Sequence, residues 1–327
     1  MLPLLLACVQ EQALYVVQDP TAPGPYAVGR DTQVIEDDRG GTLTVDVWYP
    51  ATEADEPTPY SPTIFTGLAE LGAPRAEGTF PLIAFSHGNG GIRFQSYFLT
   101  EWWASHGHVV VAPDHPNNTF LDLDMDRLTE VMQRRPGDIS RAATWAMAEY
   151  DTEEEYQVTG HSFGGWTTLA VAGGALDLEA FQAYCDAGGE GELCGLVTPT
   201  GTIADAPDPR ARGGVSMTPC GWYTFGDTGL AEVSGVAVMG GELDEICPMD
   251  VEVTPTFEHL GAPTALYTVA GGGHFVYSLM CELGNLVDEC GDSAYASAEE
   301  AQPGIRTWAT AWLLRQRTGD GAYDTWL

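Results

Sequence analysis

A chain of 327 residues suits one large α/β domain with decorations, or at most two domains, and its 44% of hydrophobic residues is enough for a substantial core, which argues against global disorder. Asp and Glu total 47 against 13 Lys and Arg, a formal charge of −34, so nucleic acid and anionic membrane surfaces are disfavoured as partners by long-range repulsion. The acidic residues are spread along the whole chain and read as a solvated surface; a saline habitat, in which salt screens the self-repulsion, fits the same pattern.

Residues 1–8 (MLPLLLAC) are apolar and end in a small residue before Cys8. They resemble the end of a bacterial lipoprotein signal, truncated because a basic leading region and a full-length apolar stretch are missing. This predicts export, as an outer-membrane lipoprotein, a periplasmic protein or a secreted one, with membrane attachment only through a lipidated Cys8. No other stretch approaches 18 continuous apolar residues, so no transmembrane helix is expected. Residues 9–40, rich in Gly, Pro, Asp and Thr, read as an extended arm or loops, and 41–327 as the main domain. Thr42 to Tyr49 alternates and is β-branched, an early strand ended by Pro50. Pro57, Pro59 and Pro62 mark a turn-rich connection with a short helix near 64–71.

From Pro81 the rhythm changes. PLIAF (81–85) is a short continuous apolar run, as expected of a buried parallel strand, and HVVVA (108–112) reads as the next strand. Helices are expected at about 94–105, 124–133 and 137–150, a strand at 156–159 and a helix from Gly164. Strands follow at 236–240 and 264–269, with helices at about 252–260 and 305–316. Alternating strands and helices predict a mostly parallel sheet covered on both faces. Residues 174–230 break the rhythm with Gly, Pro, Asp, Thr and three cysteines. They read as an excursion between strands, either a cap over the active site or a surface decoration, with a sheet strand hidden inside.

Gly160-His161-Ser162-Phe163-Gly164-Gly165 lies between the strand YQVT and a helical pattern. Small residues around a Ser in a sharp strand-to-helix turn let the backbone pass closely and present the hydroxyl at the carboxyl end of the sheet, so Ser162 is the candidate nucleophile. A Ser hydroxyl needs a base. His274, in the turn-rich AGGGHF after a strand, is the candidate, because Ser–acid–His order places the base late in the chain. The orienting acid belongs between them after a strand, where VAVMGGELD ends in Asp244; Glu242, Asp227 and Asp250 are rivals. His161 reads as a packed, hydrogen-bonded ring, His259 as structural, and His87 as a support for its own loop. The oxyanion donors are read as the backbone N–H groups of Phe163 and of Asn89, in the glycine-rich SHGNGG (86–91). Trp166, Phe94 and Trp222 are candidates for an apolar wall or for plain core roles.

Setting Cys8 aside leaves six cysteines, which admit fifteen pairings. Proximity favours Cys185–Cys194 and Cys281–Cys290, leaving Cys220–Cys247, which would anchor the loop after Asp244. No CxxC pair supports a zinc site.

The motifs DVWYPA (46–51), PLIAFSHGNGG (81–91), VVVAPDHPNNT (109–119), TGHSFGG (159–165), GELD (241–244) and GGGHF (271–275) together resemble the bacterial predicted dienelactone-hydrolase group, with its relatives among the platelet-activating-factor acetylhydrolases. The resemblance runs from about residue 40 to 316. It implies an α/β-hydrolase fold and a triad of Ser162, Asp244 and His274, with oxyanion donors at Asn89 and Phe163. Ser162 stands where dienelactone hydrolases often carry Cys, which argues against enol-lactone chemistry. GHSFGG and GELDEICP are locally similar to cutinase-like polyester hydrolases, although Phe163 stands where those usually have Met. The expected activity is serine carboxylic-ester hydrolysis of short-chain or small acyl esters without metal or organic cofactor. The alternatives are a phospholipid acetylhydrolase, a polyester hydrolase and a non-catalytic lipoprotein on a hydrolase scaffold. The partner is accordingly a small-molecule, lipid or polyester ester, neutral or cationic given the acidic surface.

Overall fold

The computed structural model describes residues 17–60, 65–198, 200–201, 206–284 and 286–327. Cys8 and the candidate signal therefore lie outside the described residues. The strands are β1 (Ala27–Glu36), β2 (Thr42–Ala51), β3 (Glu70–Leu71), β4 (Phe80–Ser86), β5 (Val109–Pro113), β6 (Thr152–His161), β7 (Ala211–Met217), β8 (Val236–Gly241) and β9 (Leu266–Val269). The helices are α1 (Tyr97–Ser105), α2 (Leu128–Glu149), α3 (Phe163–Val171), α4 (Leu178–Asp186), α5 (Thr254–His259), α6 (Asp288–Gly291) and α7 (Ala298–Thr318).

The strands form one sheet in the order β3-β1-β2-β5-β4-β6-β7-β8-β9. From β5 to β9 every pairing is parallel, whereas β2 runs antiparallel to both β1 and β5. This is the α/β-hydrolase fold. Helices α1 and α7 cover one face through Trp102, Trp103, Ile305, Trp308 and Leu313. On the other, α2 lays Ile139, Ala142, Ala143 and Ala146 against Leu82, Val109, Val111 and Val158. Both faces being covered, β5 and β8 are buried at every position, which is why their sequences are apolar without alternation.

Several elements depart from the sequence reading. β1 occupies the stretch expected as arm or loops; its polar residues sit beside β2 near the sheet edge, where one side stays wet. Phe65 to Leu71 is not helical. The buried Glu101 carboxylate takes the N–H groups of Leu68 and Ala69, and β3 pairs with β1. The two helices expected at 124–133 and 137–150 are one, α2, which carries Pro136 in its interior. α7 likewise starts before its expected residue 305 and passes through Pro303; a capping box between Ser297 and Glu300 fixes its start. Within 174–230, β7 is the strand between β6 and β8, so the true excursion precedes it. That excursion is docked. Phe181, Leu193 and Val197 pack with Phe163, Trp166 and Leu169 of α3.

The three cysteine pairs are Cys185–Cys194, Cys220–Cys247 and Cys281–Cys290. No helix among the described residues is long and apolar enough to cross a membrane.

Candidate active site

The carboxyl ends of β4, β6, β8 and β9 project four loops toward one place. At the end of β6, Ser162 has φ 59° and ψ −122°, a conformation a non-glycine residue holds only when its surroundings enforce it. The enforcement is visible. Ser162 N–H donates to Met217 O at 2.8 Å. A Cβ on Gly160 would lie 2.2 Å from Gly164 O, and one on Gly164 would lie 1.9 Å from Ser86 O. Both glycines are therefore required for β4, the turn and α3 to pass this closely. Ser162 is 8% exposed and opens α3, so the free N–H groups of that helix surround it.

At the end of β8, Asp244 is fixed by three donors. Oδ1 accepts the N–H groups of Ile246 (2.9 Å) and Cys247 (2.8 Å), and Oδ2 meets His274 Nδ1 at 2.8 Å. Facing a carboxylate, Nδ1 carries the ring proton, which leaves Nε2 as a base. The Cys220–Cys247 disulfide anchors this loop to the segment after β7. Glu242, a rival for the acid, instead accepts the Gly271 N–H at 2.9 Å, and Asp227 and Asp250 are exposed. The loop carrying His274 is braced by Glu289, whose carboxylate accepts the N–H groups of His274 (2.9 Å) and Phe275 (2.5 Å). Burial raises the Glu289 pKa, and the adjacent Cys281–Cys290 bond holds that residue in place. Glu289 and these two cysteines lie within metal-ligand distance of one another, but the thiols are paired with each other and the carboxylate is already engaged.

His161 ties the base loop to the rest. Its Nε2 donates to His274 O at 2.9 Å, and its Nδ1 accepts from Gln95 Nε2 at 3.0 Å. Gln95 Oε1 in turn accepts the Gly88 N–H at 3.0 Å. Burial, helped by the nearby His274, holds the His161 pKa well below the ordinary value, so the ring is neutral, as one donor and one acceptor require. In SHGNGG, His87 donates from Nδ1 to Gly88 O at 2.7 Å and accepts the His115 N–H on Nε2. Asn89 Oδ1 accepts from Asn118 Nδ2 at 2.7 Å.

Behind this surface lies a second serine, histidine and aspartate. Ser86 Oγ is 2.9 Å from His115 Nε2, and His115 Nδ1 is 2.9 Å from Asp138 Oδ2. The hydrogen-bond pattern is that of a catalytic triad, and all three residues are buried. Burial lowers the His115 pKa well below the usual value and raises that of Asp138 to about 6.

The excursion reaches the site from the side. Glu252, buried next to the acid loop, accepts the N–H groups of Glu192 (3.1 Å) and Gly221 (2.7 Å), so one carboxylate joins the excursion to the segment bearing Cys220. Burial pushes its pKa up to about 7. Trp166 and Phe94 belong to the core, and Trp222 stacks on His259 at 4.7 Å. Sequence reasoning missed Glu289, Gln95, Glu252 and the Ser86 network. Ser86 and His115 lie inside recognised motifs and Gln95 close to one; the others do not.

Residues 41–184 match the family model described as chlorophyllase. The chain is 34% identical over 107 residues to Cutinase 2 of Thermobifida cellulosilytica, covering 33% of this chain and 40% of that protein. It is 35% identical over 107 residues to Cutinase est1 of Thermobifida alba, covering 33% of this chain and 35% of that one. The match thus spans at most two fifths of these curated relatives. A solved ferulic acid esterase from Streptomyces cinnamoneus superposes with a TM-score of 0.64 at 19% identity, covering 91% of this chain and 92% of that one, which shows a shared fold.

Proposed function

We propose that this chain is a serine carboxylic-ester hydrolase in which Ser162 is the nucleophile, His274 the base and Asp244 its orienting acid, with the backbone N–H groups of Asn89 and Phe163 as oxyanion donors. The observation that carries the reading is the direct Asp244–His274 hydrogen bond, held by the base loop that His161 ties to the strained Ser162 turn. His274 Nε2 takes the Ser162 proton as Oγ attacks the ester carbonyl, and the tetrahedral oxyanion is held by the two N–H groups. Collapse breaks the C–O bond, and His274 protonates the departing alkoxide. Water, deprotonated by His274, then attacks the acyl-enzyme carbonyl, and as the second tetrahedral state breaks its bond to Oγ, His274 returns the proton to Ser162 and the acid product leaves and ionises to the carboxylate. The names borne by the relatives, cutinases and a ferulic acid esterase, support ester cleavage.

Within that class, short-chain or small acyl esters are the first reading. The acetylhydrolase resemblance keeps a phospholipid acetyl ester as a variant of it. A different reading, esters presented on an apolar surface such as a polyester or lipid aggregate, is favoured by one feature. The loop after β5 exposes Phe120 (71%) and Leu121 (75%), with Leu123 and Met125 nearby. It lies against the Asn89 loop, with the Phe120 N–H donating to Gly91 O at 2.9 Å. The disulfides and the resemblance of residues 1–8 to a lipoprotein signal support export, with Cys8 as the lipidation candidate.

The test is a fluorophosphonate followed by peptide mapping, then p-nitrophenyl esters of rising acyl length beside a 2-acetyl phospholipid and polyester film. An adduct on Ser162 and activity falling with acyl length are expected, and folded protein without an adduct would sink the enzyme reading. A Phe120→Asp, Leu121→Asp variant separates the two substrate readings. Loss on film with p-nitrophenyl acetate turnover unchanged supports surface esters, and equal retention on both supports small soluble ones.

A further inference from the structure

Arg135 is fully buried on α2, yet among the described residues it meets only neutral acceptors. Nε donates to Thr167 Oγ1 at 3.0 Å. One terminal nitrogen donates to Asn118 Oδ1, and the other to Ser86 Oγ (3.0 Å) and to the His87 carbonyl. The guanidinium also lies over the Phe163 ring, 4.7 Å from its centre. These contacts converge on the two backbone groups assigned to the oxyanion. His87 O belongs to the loop that carries Asn89, and Asn118 holds the Asn89 side chain. Thr167 Oγ1, which accepts from Arg135, donates to Phe163 O at 2.9 Å.

We infer that Arg135 is a positioning residue that sets the distance between the Asn89 and Phe163 N–H groups, by holding the loop after β4 and the first turn of α3 in one rigid planar fork. The inference rests on the ester-hydrolase reading above. Ser86, His115 and Asp138 then have a part that is not nucleophilic. Because His115 Nδ1 faces a carboxylate, Nε2 is the acceptor, so the Ser86 hydroxyl donates to His115 and accepts from Arg135. Its proton and its lone pair are both engaged inside the protein. The row links the buried guanidinium to the Asp138 carboxylate, which also pairs with Arg39. A buried cation without a direct counter-charge is costly, and this relay supplies one at a distance. Burial lowers the Arg135 pKa to about 9, which leaves it charged at neutral pH. Lysine would keep the charge but lose the fork that reaches four acceptors at once.

The test uses the full disulfide-bonded chain with Arg135→Lys and Asn118→Ala, the second removing the side chain that joins Arg135 to Asn89 and leaving the Thr167, Ser86 and His87 contacts of Arg135 in place. Misplacing one oxyanion donor is expected to lower kcat for p-nitrophenyl acetate about 10-fold in N118A and about 100-fold in R135K, with KM within about two-fold. Affinity for a boronic-acid mimic of the tetrahedral state should fall in parallel with kcat/KM, a change that mere loss of folded protein does not produce. Wild-type kcat and boronate affinity in folded R135K, or in N118A where R135K fails to fold, would overturn the inference. Wild-type protein that neither hydrolyses the ester nor takes up fluorophosphonate would overturn the ester-hydrolase reading itself, which that control reports separately.

Discussion

The molecule holds one complete serine–histidine–aspartate hydrogen-bond row, Ser86–His115–Asp138, and an Asp244–His274 pair whose loop is tied to the Ser162 turn, and the contrast between them separates triad geometry from the chemistry proposed for Ser162. Asp138 and His115 are joined as closely as Asp244 and His274, at 2.9 and 2.8 Å. Ser86 ends a regular strand in the interior, with its hydroxyl shared between an arginine and a histidine. Ser162 sits in a positive-φ turn at the head of a helix. The supports differ as well. The inner row is held by burial and by cations from α2 and the β1–β2 turn. The outer row is held by backbone N–H groups and disulfides on loops, which packing alone fixes less firmly. On the proposed reading it is the positive-φ turn of Ser162 and its slight exposure, against none for Ser86, that mark the reactive serine, because the hydrogen-bond pattern alone favours Ser86.

Removing each serine hydroxyl in turn is expected to have the largest effect. Ser162→Ala is expected to lower kcat by about 10⁴-fold or more and abolish the fluorophosphonate adduct, whereas Ser86→Ala lowers kcat by about 10-fold and keeps the adduct on Ser162. Loss of the adduct in folded S86A would reverse the assignment. Cys220→Ser with Cys247→Ser frees the loop of the outer row alone. A fall of about 10-fold in kcat with most of the secondary structure retained is expected by circular dichroism, and unchanged turnover would show that the two N–H groups on Asp244 suffice. The smallest effect concerns Glu252. Its folded pKa of about 7 lies above the ordinary 4.5, so the folded state holds its proton more tightly, and the stability this contributes at low pH is lost as pH rises to about 7. Glu252→Gln removes that leg. The difference in melting temperature between variant and wild type should move in the variant's favour by on the order of 5 °C from pH 5 to pH 8, and a constant difference would refute the shift.

What was legible in the sequence was local. The Ser162 turn announces itself because strand, small residues and helix are contiguous, and Asp244 and His274 each stand in the first loop after an apolar strand. Short cysteine spacings made two of the pairings readable, and the third followed by subtraction. Arg135 was not legible. Its acceptors lie 17 to 49 residues away, and it falls in the gap between the helices expected at 124–133 and 137–150, which α2 spans without a break. Glu289 and Glu252 were hidden for another reason: in a chain with 47 acidic residues, two carboxylates with specific duties look like the rest of the solvated surface.

The three cysteine pairs follow one another along the chain without nesting or interleaving, and all of them come after Ser162. For a polypeptide threaded N-terminus first into an oxidising compartment, this arrangement is a schedule. Among these six thiols each mate emerges before any thiol of the next pair, so the native partner is the only one of the six on offer when the bond can form, provided Cys8 is lipidated as proposed. Assembly is then expected to need an oxidant and no isomerase, and scrambled products from oxidation during stepwise emergence would contradict it. The order of bond closure is thereby set by the direction of travel.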